Sequence, residues 1–75
     1  MMYKLNGEDI DVYVVIRGYI SRDVILRNYT QDKVTCCGCF KSLYKADERC
    51  KEIRRIIEFL GGEKQLTHQH EYKGE

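Results

Sequence analysis

Residues 5–20, LNGEDIDVYVVIRGYI, carry the alternation that decides the fold. Ile10, Val12, Val14, Ile16 and Ile20 fall on one parity, and Asp9, Asp11, Tyr13, Arg17 and Tyr19 on the other. Successive side chains of a strand point to opposite faces, so the pattern predicts a strand from Glu8 to Tyr19 with one buried and one open face. Immediately upstream, Asn6-Gly7 tolerates the positive φ required at both central positions of a type I′ turn, so a hairpin precedes the strand. A two-residue turn sets Leu5 opposite Glu8, Lys4 opposite Asp9 and Tyr3 opposite Ile10. The Lys4–Asp9 pairing joins opposite charges and supports that register.

Working outward, residues 23–29, DVILRNY, are rich in β-branched and aromatic residues and short enough for a strand, although a short apolar run can also be helical. The polar stretch Thr30 to Lys33 predicts a turn. Residues 34–40, VTCCGCF, alternate again, with Val34, Cys36, Gly38 and Phe40 expected inward and Thr35, Cys37 and Cys39 outward. At Ser42 the period changes. Leu43, Ala46, Cys50, Ile53, Ile57 and Leu60 follow spacings of three and four, Ser42 can cap the first turn, and Gly61-Gly62 supplies a stop. This predicts one amphipathic helix of about five turns. Its stripe is expected to pack on the sheet face of Ile10, Val12, Val14, Ile16, Leu26, Val34, Cys36 and Phe40.

The fold class is therefore α+β: an antiparallel meander of three to four strands with one C-terminal helix on one face. Residues 1–62 form the single domain, and residues 63–75, with one Leu and one Tyr among polar residues, are expected to be a flexible tail. A 75-residue chain buries a small core, so help from a partner, including a second copy of itself, is a natural expectation. The 13 basic and 12 acidic residues nearly cancel, so no bulk field selects nucleic acid or anionic lipid. No stretch has the apolar length of a membrane span, and MMYKLNGEDID lacks the basic and apolar regions of a secretory signal. A cytoplasmic location and no membrane partner are expected, with the four cysteines as thiols or metal ligands rather than a disulfide frame.

Three of those cysteines crowd into TCCGCF, residues 35–40. Cys37 and Cys39, two apart, would share a sheet face, and His68 and His70 are also two apart, so two thiolates and two imidazoles could surround a zinc ion. That outward cysteine pair has neither the Cys-x-x-Cys spacing nor the turn of a zinc knuckle. The preferred reading is that Cys36 and Cys50 are small buried hydrophobes while Cys37 and Cys39 are half-exposed, with no metal and no other cofactor. Catalysis has no better foundation. The only histidines lie in the tail, away from any nucleophile, and no Gly-rich loop precedes Lys41-Ser42 to cradle phosphate. Asp9 and Asp11 share a face, but two carboxylates are too few for a hard cation. The chain reads as a non-enzyme.

A single helix covers one side of a small sheet, which leaves the other side solvated or bound. By parity that side carries Tyr13, Val15, Arg17, Tyr19, Ile25, Arg27 and Tyr29, and tyrosine and arginine are the residues that dominate interface hot spots. On the helix, Phe59 falls on the outward side, away from the apolar stripe. Tyr13, Arg17, Tyr19, Arg27, Tyr29 and Phe59 are thus the candidate partner-binding residues. The expected function is a protein-binding module, an inhibitor or adaptor, with homodimerisation through the same face as one form of it. In size and shape the chain resembles small phage and mobile-element proteins that act by occupying a host protein's surface. Single-stranded nucleic-acid binding, by stacking of bases on the tyrosines, and a small zinc-binding regulatory domain are the alternatives.

Overall fold

The computed structural model describes residues 1–65. Asn6 and Gly7 both take positive φ, 53° and 81°, and the tight turn they make joins β1 (Met2–Leu5) to β2 (Glu8–Arg17) in the predicted register, with Leu5 opposite Glu8 and Lys4 opposite Asp9. β2 continues into β3 (Ser21–Asn28) and β3 into β4 (Lys33–Phe40), so residues 23–28 are strand rather than helix. The helix α1 (Leu43–Phe59) follows, and a two-residue strand β5 (Glu63–Lys64) closes the described chain. All pairings are antiparallel and the sheet order is β4-β3-β2-β1-β5. The architecture is α+β, with one helix packed on one face of the sheet.

β5 lies in the stretch assigned to the tail. Leu60 ends the helix, and the chain reverses through Gly61 (φ 101°), whose N–H donates to the Glu58 carbonyl, and Gly62, whose N–H donates to that of Ile57 at 2.8 Å. This is a Schellman arrangement. A Cβ on Gly62 would lie 2.5 Å from the Ile57 side chain and 2.9 Å from its carbonyl oxygen, so only glycine allows so close a return. The returning chain meets the free edge of β1, where Tyr3 pairs with Lys64, Lys4 with Glu63, and Gln65 N–H donates to the Met2 carbonyl. Residues 66–75, which include His68 and His70, lie outside the described residues.

The core consists of Tyr3, Ile10, Val12 and Val24 from the sheet and Ala46, Cys50, Ile53 and Ile57 from the helix. Ser42 caps α1, its hydroxyl accepting from Lys45 N–H at 3.3 Å. The buried stripe, Ala46, Cys50, Ile53 and Ile57, is shorter than predicted at both ends, because Leu43 and Leu60 are exposed. No helix among the described residues is long and apolar enough to cross a membrane.

Two departures from simple alternation reshape the sheet. β2 ends at Arg17 rather than Tyr19, because Gly18 (φ 54°) opens a three-residue turn closed by Ile20 N–H donating to the Arg17 carbonyl. Ile20, on the inward parity, is exposed at the hairpin tip with Tyr19 99% exposed beside it, and Ile16, expected in the face that packs on the helix, is exposed near the end of β2. In β4, Val24 pairs with Gly38 and Ile25 with Cys36, so Cys37 is the extra residue of a β-bulge. Upstream of the bulge the parity of β4 is inverted. Val34 and Cys36, expected inward, are exposed, whereas Cys37, expected outward, packs against the core with Leu5, Val14, Leu26 and Phe40.

Candidate functional site

On the face away from α1 the register sets side chains in rows. Tyr13, Ile25 and Cys36 form one row, Val15, Asp23 and Cys39 the next, and Asp11, Arg27 and Val34 a third. Strand geometry accounts for this grouping, since directly opposed residues of antiparallel strands share a face. Tyr29 N–H donates to the Asp9 carbonyl, which continues the β2–β3 pairing by one residue and brings Tyr29 back over Arg27. The Arg27 guanidinium carbon lies 5.0 Å from the Tyr29 ring centroid, a cation–π distance. Burial raises the Tyr29 hydroxyl above its ordinary pKa, and the nearby Asp11 and Tyr13 push the same way. Tyr13, Arg27 and Tyr29 thus form one aromatic and cationic surface beside Ile25 and Val15.

Charges on this face are largely paired. Lys4 Nζ is 2.8 Å from Asp9, and Arg17 Nε is 3.3 Å from Asp23. Asp23 is buried, as is Ser21, whose hydroxyl donates to the Asp23 carboxylate at 2.7 Å. The serine hydrogen bond is the main reason the Asp23 carboxyl is held below the usual carboxylate range, with Cys39 and Arg17 adding to it.

The six residues predicted to bind a partner do not make one surface. Tyr13, Arg27 and Tyr29 converge, and Arg17 stands at the far end of β2 with Asp23. Tyr19 projects from the hairpin tip. Phe59, 88% exposed, is two residues from the buried Ile57 and therefore on the opposite side of the helix, with the helix and the sheet between it and the tyrosines. Of the four residues weighed as zinc ligands in the alternative reading, the two described cysteines are separated. Cys37 faces the core side and Cys39 the open side, and His68 and His70 lie outside the described residues. Among the described residues no group of three or more His, Cys, Asp or Glu side chains is placed to hold a metal.

The thiols that do meet are Cys36 and Cys39, whose sulfurs are 3.6 Å apart on the open face. This pair has the Cys-x-x-Cys spacing, hidden in the sequence by the assumption of unbroken alternation. Gly38 was the available signal, because a glycine inside a strand pattern marks a bulge. Hydrogen bonding to Cys36 and to the Asp23 carboxylate pushes the Cys39 thiol up to about 11. Compared with protein families, with curated proteins and with solved structures, the chain matches none.

Proposed function

We propose that this protein is a small, non-catalytic cytoplasmic module that binds another protein through the open sheet face, with Tyr13, Arg27 and Tyr29 as its centre and Arg17 at its margin. The observation that carries the reading is the grouping of these side chains with Val15 and Ile25 on a sheet face that no other described element covers. Tyrosine and arginine combine a large contact area with a polar end, which suits a surface that is wet when free and dry when bound. Pairing of Lys4 with Asp9 and of Arg17 with Asp23 favours a protein partner over a polyanion, since both cations are already neutralised.

Capture of partners from host extract with the wild-type chain and with Tyr13→Ala/Tyr29→Ala tests this. Loss of a specific, identified partner in a variant whose circular dichroism is unchanged is the expected result; undiminished recovery overturns the assignment of the face. A mass in solution that rises with concentration, and falls back to monomer in the double variant, would identify the partner as a second copy. Single-stranded DNA that binds at low salt and is released steeply as salt rises would overturn the protein-partner reading in favour of nucleic acid.

A further inference from the structure

We propose that Cys36 and Cys39 form a thiol–disulfide exchange site that reacts with small-molecule disulfides and closes to an intramolecular disulfide. The inference is independent of the partner-binding reading and rests on the geometry of the bulge.

Their sulfurs are 3.6 Å apart, both residues are exposed, and no third thiol competes on that face. Cys37 is turned to the core side by the bulge, where burial raises its thiol, and Cys50 is buried within the core. Cys36 and Cys39 stand opposite Ile25 and Asp23, two residues apart on the neighbouring strand. Their backbones are thus separated by about two strand steps, ~6.6 Å, which falls at the upper end of the Cα separations that disulfides span. Without the extra residue of the bulge, positions three apart would lie on opposite faces and could not be joined. Among the described strands β4 is the outermost and is paired on one side only, so it can tighten by the small amount closure needs without breaking a second described ladder.

The chemistry follows from the difference between the two sulfurs. Cys39 stands opposite the Asp23 carboxylate, whose negative charge opposes ionisation of its thiol, so the exposed Cys36 makes the first attack. Its thiolate attacks one sulfur of a disulfide RSSR, forming a Cys36–S–S–R bond and releasing RS⁻. Cys39 then gives up its proton to solvent and attacks the Cys36 sulfur, forming the Cys36–Cys39 bond and expelling the second RS⁻. Each RS⁻ takes up one proton. Two protein thiols are oxidised by two electrons, and RSSR is reduced to two RSH. An exposed disulfide on an edge strand belongs to the reducible, regulatory class rather than the structural one.

The test is to incubate the full chain with oxidised glutathione and follow intact mass, then alkylate in denaturant and map the tryptic peptides that hold Cys36, Cys37, Cys39 and Cys50. The expected product has lost two hydrogens, retains no glutathione, and carries its alkyl groups on Cys37 and Cys50. Cys39→Ser should stop at one retained glutathione on Cys36, Cys36→Ser should lose the fast reaction, and Cys37→Ser should close as the wild type does. A link through Cys37, an intermolecular product, or a wild-type chain that keeps its glutathione would overturn the proposal.

Discussion

The Tyr3 hydroxyl donates a 2.9 Å hydrogen bond to the Glu58 carboxylate, joining the first strand to the last turn of the helix across 55 residues of sequence. Tyr3 is 1% exposed, and the same carboxylate lies 3.7 Å from Lys64 Nζ on β5. Burial first, and the Glu58 charge with its hydrogen bond second, raise the Tyr3 hydroxyl far above its ordinary value of 10.0. Above that pH the unfolded chain releases a proton that the folded chain retains, so the unfolded state binds fewer protons and stability falls as pH rises. For this one group the slope is about 1.4 kcal/mol per pH unit. Tyr3→Phe should lose about 1 kcal/mol at neutral pH and should unfold less steeply with alkali than the wild type. Urea titrations at neutral pH and above pH ~10 check both parts.

At the bulge, a Cβ on Gly38 would lie 2.7 Å from Cε2 and 2.9 Å from Cζ of the Phe40 ring, and the residue sits at φ 154°. Gly38→Ala therefore meets both backbone strain and a clash with a ring that packs against the core. We expect a loss of roughly 1–3 kcal/mol in denaturant unfolding. In the double variant with Phe40→Ala the clash has no partner, so the two losses should sum to more than the measured total. Strict additivity would mean that the ring does not set the requirement for glycine.

These positions also show what the sequence could and could not reveal. The hairpin register was legible because Asn6-Gly7 fixes turn length and type, and alternation then fixes every pairing of β1 with β2. The helix was legible from Ser42 to Gly61 because its cap, period and stop agree. By contrast, Val34, Cys36 and Cys37 were placed on the wrong faces, since alternation counts residues along one strand while a bulge is a property of two. β5 was missed because a two-residue strand has no period of its own; its pairing depends on the free edge of β1. For the candidate surface, parity grouped Tyr13 with Arg27 and Tyr29 correctly. It also included Tyr19, which the Gly18 turn removes from the sheet.

Thiol burial gives a stability prediction that runs opposite to simple alternation for one residue. Cys50 is 1% exposed on the helix stripe, whereas Cys36 is exposed on the open face. Cys50→Ala should cost about 1 kcal/mol through lost packing, and Cys36→Ala should stay within about 0.5 kcal/mol of wild type. In the native chain a thiol reagent should modify Cys36 first and Cys50 last, since burial raises the Cys50 thiol and closes access to it. Time-resolved alkylation with peptide mapping reads the order. A fast Cys50 would mean that the helix leaves the sheet readily.

Ser21 and Asp23, both buried, form the least exposed polar contact of the open face, with the serine hydroxyl 2.7 Å from the carboxylate. Because that hydrogen bond is the main cause of the lowered Asp23 value, Ser21→Ala should move the Asp23 titration upward, toward the ordinary 3.8. Arg17→Ala should move it less, since Arg17 is more than half exposed and solvent screens its charge. The sign for stability follows directly. A carboxyl that is more acidic folded than unfolded contributes stability above the unfolded value, and that contribution is lost as pH falls through the folded one. Ser21→Ala should therefore be less stable than wild type near neutrality, and the gap should narrow as pH drops below about 4, the ordinary aspartate value. Carbon-detected NMR titration of the Asp23 carboxyl group, alongside urea unfolding from neutral to acid pH, measures the two effects separately. An unchanged Asp23 midpoint in the alanine variant would show that the serine hydroxyl donates elsewhere in solution.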